Sequence, residues 1–259
     1  MFEDILVSGR TDIGLKRENN EDNYLIIDKS ADGYDTSRYG KIFVVADGMG
    51  GHAAGETASR MACEGLQRYY RHTTNASEEP ATPEQMTDHL ENIFHDINKE
   101  ILIFADENEG YEGMGTTLSA IVLFKDKVLI AHVGDSRIYR FRDGLLEQLT
   151  VDHTEVQALI DMGRLKPERA ATHPRRNILT QAMGVDDELE EVYTRIEDVH
   201  ESDIFLLCSD GLHDMVGDEE ILHILQENPV PQAACNRLID RAIEQGGKDN
   251  VTVVVVRIS

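Results

Sequence analysis

IFVVADGMGGHAAGE, residues 42–56, joins an apolar run to an acidic residue and a glycine-rich turn. The run 42–46 is typical of a buried β-strand, and Asp47 stands at its end. One aspartate in this position is usually a turn or capping residue, because aspartate favours turns. Three more aspartates lie in the same kind of position: Asp135 after LIAHVG, Asp210 after IFLLCS, and Asp249 before VTVVVV. Four acidic side chains fixed at strand ends are hard to explain as turn residues alone.

If these strand ends converge, the carboxylates would repel one another strongly, and bound cations are the remedy. An all-oxygen ligand set suits Mg²⁺ or Mn²⁺ better than Zn²⁺. The chain has 49 Asp and Glu against 25 Lys and Arg, a formal charge of −24. Such a charge can mean a solvated surface or cation binding. The positions of the four aspartates favour cation binding.

The glycine-rich turn has a second interpretation, because GxGxxA at 48–53 after a strand is the pattern of a dinucleotide-binding turn. We reject it, since Asp47 would lie where a pyrophosphate needs positive potential. The acidic ribose ligand expected about 20 residues further on is also missing, because Tyr69 and Tyr70 lie there. The glycines better fit backbone carbonyls that approach a metal.

Apolar runs outward from this stretch predict further strands at 118–124, 128–133, 137–141, 204–208 and 251–258. Helical periodicity predicts helices over 57–72, 83–105 and about 232–245. Tight turns at 125–127 and 142–144 join antiparallel neighbours, which argues against an all-parallel sheet, and we expect a layered α+β fold. Residues 152–190 are polar and broken by two prolines. They predict a flap inserted into a single domain, 1–259.

Composition limits the remaining possibilities. With 259 residues and 41% hydrophobic content, the chain can bury a sizeable core. Its negative charge disfavours nucleic acid and anionic lipid as partners. No window reaches the ~18 apolar residues of a membrane span, and Glu3 and Asp4 lie where a signal peptide needs positive charge. We therefore expect a cytoplasmic protein. The three cysteines form no CxxC pair, which excludes a thiolate metal site.

Arg17 stands close to Glu21 and Asp22 in RENNED, residues 17–22. On its own this segment is typical of a charged loop. Beside a metal centre the segment indicates phosphate binding, because an arginine fork can hold two phosphate oxygens. The two carboxylates could then receive metal-bound waters.

These segments together resemble the PPM, or PP2C-like, family of metal-dependent protein phosphatases in its compact bacterial form. The matching segments follow the family order along nearly the whole chain: RENNED at 17–22, VVADGMGGHAAGE at 44–56, GTTLSA at 115–120, HVGDSRIYR at 132–140, HPRRNILTQAMG at 173–184, LLCSDGLHD at 206–214 and GGKDNVTVVVV at 246–256. The resemblance implies a four-layer α-β-β-α sandwich. It also implies that two central antiparallel sheets are flanked by helices, and that residues 152–190 form a mobile flap that influences substrate choice.

The resemblance also implies a centre of two Mn²⁺ or Mg²⁺ ions. Asp47 would bridge the two ions, with the Gly48 carbonyl on one of them and Asp210 and Asp249 on the other. Glu21 would act through metal-bound water with support from Asp22, Arg17 would bind phosphate, and Asp135 would help hold a weaker third ion.

Some eukaryotic members of the family carry a histidine directly after Asp-Gly, proposed as a general acid. Here Met49 takes that position, and His52 follows three residues later. A catalytic role for His52, as proton donor to the leaving group, is a hypothesis, and a structural role is equally open.

The expected reaction is hydrolysis of phosphoserine and phosphothreonine by direct attack of a hydroxide that bridges the two cations. Arg17 would orient the phosphoryl group, and positive charge would stabilise its oxygens. Two alternatives stay open: a non-catalytic phosphoprotein-binding module on the same fold, and a hydrolase of small phosphate esters. The expected partners are phosphorylated proteins, with a Hanks-type Ser/Thr kinase and its substrates among them. We expect a monomer without nucleic acid or membrane insertion.

Overall fold

Eleven strands form two antiparallel sheets in a computed structural model of the chain, which describes residues 5–30, 34–51, 53–72 and 82–259. The first sheet has the order β1 (Ile5–Asp12), β11 (Val251–Ile258), β10 (Ile204–Cys208), β7 (Arg137–Arg142) and β8 (Leu145–Gln148). The second has the order β2 (Asp22–Ile27), β3 (Lys41–Met49), β5 (Leu118–Phe124), β6 (Lys127–Val133) and β9 (Tyr193–Asp198). The short strand β4 (Gly115–Thr116) pairs with the end of β3.

Helices cover the outer face of each sheet. The long helices α2 (Ala53–His72) and α3 (Pro83–Glu107) pack on the second sheet, and α5 (Asp210–His213), α6 (Asp218–Glu227) and α7 (Pro231–Glu244) pack on the first. A short helix α1 (Thr36–Tyr39) precedes β3, and α4 (Glu155–Asp161) follows β8. Helix α3 begins at the capping box of Thr82 and Gln85, with Pro83 at its first position.

Alternation along β3 shows why the strands are apolar on both faces. Val44 belongs to the core beneath α2 and α3. Phe43 and Val45 point the other way and pack against Phe205 of β10, between the two sheets. A third core lies between the first sheet and α5, α6 and α7. Three apolar layers separate four layers of secondary structure, so the α-β-β-α arrangement expected from the sequence is confirmed.

Several elements differ from the sequence-based expectation. Helix α2 begins at Ala53 rather than at residue 57. Strands β1, β2, β4, β8 and β9 were not predicted. The segment 152–190 contains α4 and a 3₁₀ helix, Pro167–Thr172. His52 lies outside the residues that the structure describes.

Candidate metal centre

The end of β3 brings two acidic residues together. Asp22 on β2 pairs in register with Asp47 on β3. The Asp22 carboxylate is buried and accepts a hydrogen bond from Ser209 Oγ (2.8 Å). Its other oxygen, Oδ1, is buried without a hydrogen-bond partner in the described part of the chain. Asp22 therefore lies behind Asp47, whereas Asp47 itself lines the cleft beyond the strand.

Gly48 allows the chain segments around Asp47 to approach closely. Its N–H donates to the carbonyl oxygen of Glu21 (3.2 Å). A Cβ at this position would lie 2.2 Å from the Gly55 carbonyl oxygen and 2.5 Å from that of Glu21. Any side chain here would push the first turn of α2 away from Glu21. The DG pair thus holds Asp47 beside Glu21 through the absence of a side chain.

Asn250, which precedes β11, fixes the loop that carries Arg17 and Glu21. Its side-chain Nδ2 donates to the carbonyl oxygens of Ile13 (2.9 Å) and Asn19 (3.0 Å). Its Oδ1 accepts from the backbone N–H of Glu21 (2.8 Å). The amide is buried and uses both donors and its acceptor. One side chain therefore ties a loop at one end of the sequence to a strand at the other.

Asp210 begins α5 directly after β10, and Asp249 lies beside it because Gly211 is small. A Cβ on Gly211 would lie 1.9 Å from the Asn250 carbonyl oxygen. Arg17 reaches the same place from its loop, and its Nη2 donates to Asp249 Oδ2 (2.6 Å). This hydrogen bond raises the pKa of Arg17, and the charges of Glu21 and Asp210 add to the effect.

A cleft of about 630 Å³ collects these groups. Glu21, Asp47, Asp135, Asp210 and Asp249 line it together with Gly48 and Arg17. Asp186 is a sixth acidic lining residue, and Arg17 is the only Lys or Arg among the described residues of the lining. In the same described ranges, no three His, Cys, Asp or Glu side chains already close around one point. The carboxylates therefore line one cleft but do not form a complete set of ligands around one point.

Burial and repulsion between neighbouring carboxylates raise the pKa values of three aspartates in the cleft. Burial raises the pKa of Asp47 well above the usual range of an aspartate, and the carboxylates of Asp22, Asp210, Asp135 and Asp249 raise it further. Burial likewise raises the pKa of Asp210 well above its usual range, with Asp135 and Asp249 next in effect. Burial, followed by Asp152, raises the pKa of Asp135 to about 7. Divalent cations would relieve this repulsion, and hard oxygen donors suit Mg²⁺ and Mn²⁺. The donor set therefore fits the expected cofactor.

The segment 152–190 forms one wall of the cleft. Residues 177–182 line it, and Arg176 and Asn177 donate to Asp214 Oδ2 at the end of α5 (2.9 and 3.3 Å). At the start of the segment, Arg137 of β7 holds Asp152 by three hydrogen bonds of 2.7–3.1 Å. The segment is thus attached to strand β7 of the first sheet and to helix α5, which begins at Asp210.

The structure brings most of the predicted site residues together. Arg17, Glu21, Asp47, Gly48, Asp135, Asp210 and Asp249 all line the one cleft. Asp22 does not line it and contacts Ser209 instead. The placement of these residues is a structural fact, while the cation or phosphate that each would bind stays a prediction.

Sequence reasoning missed Asn250, Asp214 and Ser209. Asn250 positions the loop of Glu21, Asp214 binds Arg176 of the segment 152–190, and Ser209 fixes Asp22. All three lie inside motifs that were recognised, next to or four residues from an aspartate that was singled out. For Ser209 and Asn250, a polar residue adjacent to a strand-end aspartate was the available signal.

Comparisons with known proteins identify the family of this chain. The sequence profile of the Protein phosphatase 2C family matches residues 18–237. Serine/threonine phosphatase stp of Listeria innocua is 39% identical over 247 residues, covering 95% of this chain and 93% of that protein.

Solved structures of serine/threonine phosphatases are also similar to this chain. Serine/threonine phosphatase Stp1 of Staphylococcus aureus has a TM-score of 0.87 and 36% identity, with 100% of this chain and 96% of that one covered. The catalytic domain of PstP, a Mycobacterium tuberculosis phosphatase, was solved in complex with two manganese ions. It has a TM-score of 0.80 and 37% identity, with 98% and 97% covered.

The two-sheet fold and the carboxylate cleft define a metal-dependent phosphatase. The chain belongs to the Protein phosphatase 2C family. The family, the α+β fold and the enzyme class predicted from the sequence, a protein-serine/threonine phosphatase, are confirmed. The two manganese ions of PstP agree with the predicted two-cation cofactor. In the ranges that the structure describes, no helix has the length and apolar character needed to cross a bilayer.

Proposed function

We propose that this chain removes phosphate from phosphoserine and phosphothreonine in proteins, with two Mn²⁺ or Mg²⁺ ions held in the carboxylate cleft. The observation that carries the proposal is that the five acidic residues predicted from the sequence, which belong to separate segments, line one cleft together with Arg17. Relatives of similar length are named serine/threonine phosphatases. Asp47, the Gly48 carbonyl, Asp210 and Asp249 would hold the two ions, Glu21 would act through their waters, and Asp135 would help hold a weaker third ion.

The cations, when bound, activate water and neutralise charge on the phosphoryl group. In the hydrolysis, a water oxygen forms a bond to phosphorus while the bond from phosphorus to the serine or threonine oxygen breaks. Arg17 binds the phosphoryl oxygens through its planar fork and holds the group in line for attack. For this the guanidinium exchanges its hydrogen bond with Asp249 for bonds to the substrate.

The departing oxygen needs a proton. We propose His52 as its donor, since an imidazole titrates near neutral pH. Replacing His52 with glutamine should lower kcat more for alkyl phosphates, whose leaving groups are poor, than for p-nitrophenyl phosphate. Equal loss for both substrates would indicate a structural role instead.

Residues 152–190 are proposed as the flap of a single phosphatase domain, 1–259, because they form one wall of the cleft and are attached to Asp214 and Arg137. The proposed partners are a Hanks-type Ser/Thr kinase and the proteins it phosphorylates. We place the enzyme in the cytoplasm. Its three cysteines are free and buried, as is usual in a reducing compartment.

The test is hydrolysis of a phosphothreonine peptide and of p-nitrophenyl phosphate in Mn²⁺, in Mg²⁺ and in chelator. We expect metal-dependent release of phosphate from both, lost by at least about 100-fold in Asp47→Asn and Asp210→Asn, the range for losing a preorganised electrostatic group. A folded wild type that binds Mn²⁺ and hydrolyses neither compound would favour the binding-module alternative. Turnover confined to free metabolites would favour the small-ester hydrolase.

A further inference from the structure

The flap carries a concentration of positive charge in an otherwise acidic protein. Residues 164–176 contain five Lys and Arg against one Glu, a formal charge of +4, whereas the whole chain carries −24. The flap is therefore the part of the surface next to the cleft where a negatively charged ligand is attracted rather than repelled.

Three of these side chains surround a concave site that is separate from the carboxylate cleft. Arg164, Lys166 and Arg169 line a pocket of about 450 Å³ together with Thr172 and His173. Within the described residues none of the three makes an ion pair, and Glu168 does not line the pocket. We call this site the basic flap pocket.

The neighbouring arginines of the segment differ in this respect. Arg175 is paired with Glu155 (2.5 Å) and Arg176 with Asp214 (2.9 Å). Their charges are already engaged in holding the flap. The charges of the basic flap pocket are not, and three exposed cations directed at one concavity remain available for an anion.

The backbone of the pocket is fixed by hydrogen bonds. Helix α4 ends at a turn in which Gly163 has a φ of +66°, and the N–H groups of Arg164 and Leu165 both donate to the Leu159 carbonyl (2.8 and 3.0 Å). The 3₁₀ helix that follows is closed by Arg169 N–H to Lys166 O (2.9 Å) and His173 N–H to Ala170 O (3.0 Å). The cations thus stand on an ordered frame, which lowers the cost of binding a ligand.

The edge of the basic flap pocket lies close to the edge of the carboxylate cleft. Its lining ends at Pro174, and the lining of the cleft resumes at Asn177. Three peptide steps of about 3.8 Å place those Cα atoms at most about 11 Å apart. An extended peptide of about three residues spans the same distance at about 3.3–3.6 Å per residue.

We propose that the basic flap pocket binds a second anionic side chain of the phosphoprotein substrate, close in sequence to the phosphorylated residue in the cleft. Phosphate and carboxylate share the chemistry that an arginine fork recognises. A long polyanion fits less well, because the surrounding surface is acidic and would repel it. This inference rests on the proposed function and adds the class of substrate that the site selects.

The experiment compares kcat/KM for phosphothreonine peptides that differ at one position, three residues before or after the phosphothreonine. That position holds alanine, glutamate or phosphoserine, and kcat/KM is taken from loss of phosphate at the threonine alone, followed by mass spectrometry, because phosphoserine is itself a substrate of the proposed reaction. We expect the wild type to prefer the phosphoserine peptide over the alanine peptide by about tenfold in one of the two directions, an effect that shrinks as ionic strength rises. If the glutamate peptide is preferred as strongly as the phosphoserine peptide, the anion that the pocket recognises is a carboxylate.

The variant Arg164→Glu/Arg169→Glu should abolish this preference, and Lys166→Ala should reduce it. The matched control Arg60→Glu/Lys99→Glu changes the same charge on exposed faces of α2 and α3 and should retain it. Circular dichroism and Tm establish that the reversal variant is folded, and Lys166→Ala provides the test if it is not.

Three outcomes would overturn the proposal. Equal kcat/KM for all peptides would remove the pocket from substrate selection, while leaving the phosphatase activity established. If the preference for the phosphoserine peptide survives in Arg164→Glu/Arg169→Glu, the second anion binds elsewhere on the protein. Retention of a short RNA by the wild type and not by that variant would assign the pocket to nucleic acid. If the wild type hydrolyses no peptide at all, it is the proposed function that fails.

Discussion

Replacing Asn250 with alanine tests whether this one side chain holds the loop of the candidate centre. Alanine removes three hydrogen bonds, from Nδ2 to Ile13 O and Asn19 O and from Glu21 N–H to Oδ1. At about 1 kcal/mol net for each bond, the loss sums to about 3 kcal/mol. Ile13 and Asn19 are exposed, so water can reach their carbonyls once the loop opens. We therefore expect about 2–3 kcal/mol, expressed first as local opening of residues 13–21.

Urea unfolding and limited trypsin digestion measure the two parts of this effect. Trypsin cleaves after Lys16 and Arg17, which lie in the loop. A local cost of about 2 kcal/mol raises the open population about 30-fold, since 1.4 kcal/mol is a factor of ten. Cleavage at these sites should therefore be at least tenfold faster in Asn250→Ala, and kcat/KM should fall because Arg17 and Glu21 are no longer positioned.

Asn228→Ala is the matched control for Asn250→Ala. Asn228 makes a single side-chain hydrogen bond, to Ile224 O at the end of α6 (2.9 Å), far in sequence from the loop. It should cost about 1 kcal/mol or less and leave cleavage at Lys16 and Arg17 unchanged. If Asn250→Ala matches this control in both stability and proteolysis, the amide does not hold the loop and the reasoning is wrong.

Two further predictions concern close packing and a buried histidine. Gly211→Ala places a Cβ 1.9 Å from Asn250 O, so it should displace Asp210 and lower kcat/KM by at least about tenfold, whereas Gly217→Ala, with nothing within 4 Å, should stay within twofold. Burial lowers the pKa of His132 from 6.5 to about 3. The folded protein therefore keeps this ring neutral while the unfolded chain takes up a proton below about 6.5, and the free energy of unfolding falls as pH is lowered from there. His132→Gln should remove up to about 1.4 kcal/mol per pH unit of that fall between pH 6 and 4; parallel stability–pH curves for the two proteins would contradict this.

The sequence predicted best the elements whose signal is local. Strand β5 was predicted with the bounds that the structure has, because Leu118–Phe124 is apolar except for Ser119 and is buried on both faces. Helix α3 was predicted from its start at Pro83 by its capping box. Edge strands β1 and β9 were missed, since they are only partly buried along their length. Their register comes from the partners β11 and β6 and not from their own pattern.

The identities of the acidic residues in the candidate site could be predicted from the sequence. Their arrangement in space was less predictable. The strand-end positions of Asp47, Asp135, Asp210 and Asp249 could be read along the chain. Their sharing of one cleft depends on sheet order, which places β10 beside β11 and β2 beside β3. Asn250 acts on a loop more than 200 residues away in sequence, and no local pattern carries such a contact.

The central claim is that the aspartates of the cleft hold cations, and the Tm of wild type and Asp47→Asn in chelator and in Mn²⁺ tests it most directly. In chelator, Asp47→Asn should be more stable by at least about 1 kcal/mol, or about 2–4 °C, because it removes a buried carboxylate that Asp22, Asp210, Asp135 and Asp249 repel. In Mn²⁺ at about 100 times its Kd, the wild type should gain about 2.7 kcal/mol and the variant much less. Asp47→Asn should therefore have the higher Tm in chelator, and the wild type should have the higher Tm in Mn²⁺. The same order in both conditions would contradict the account.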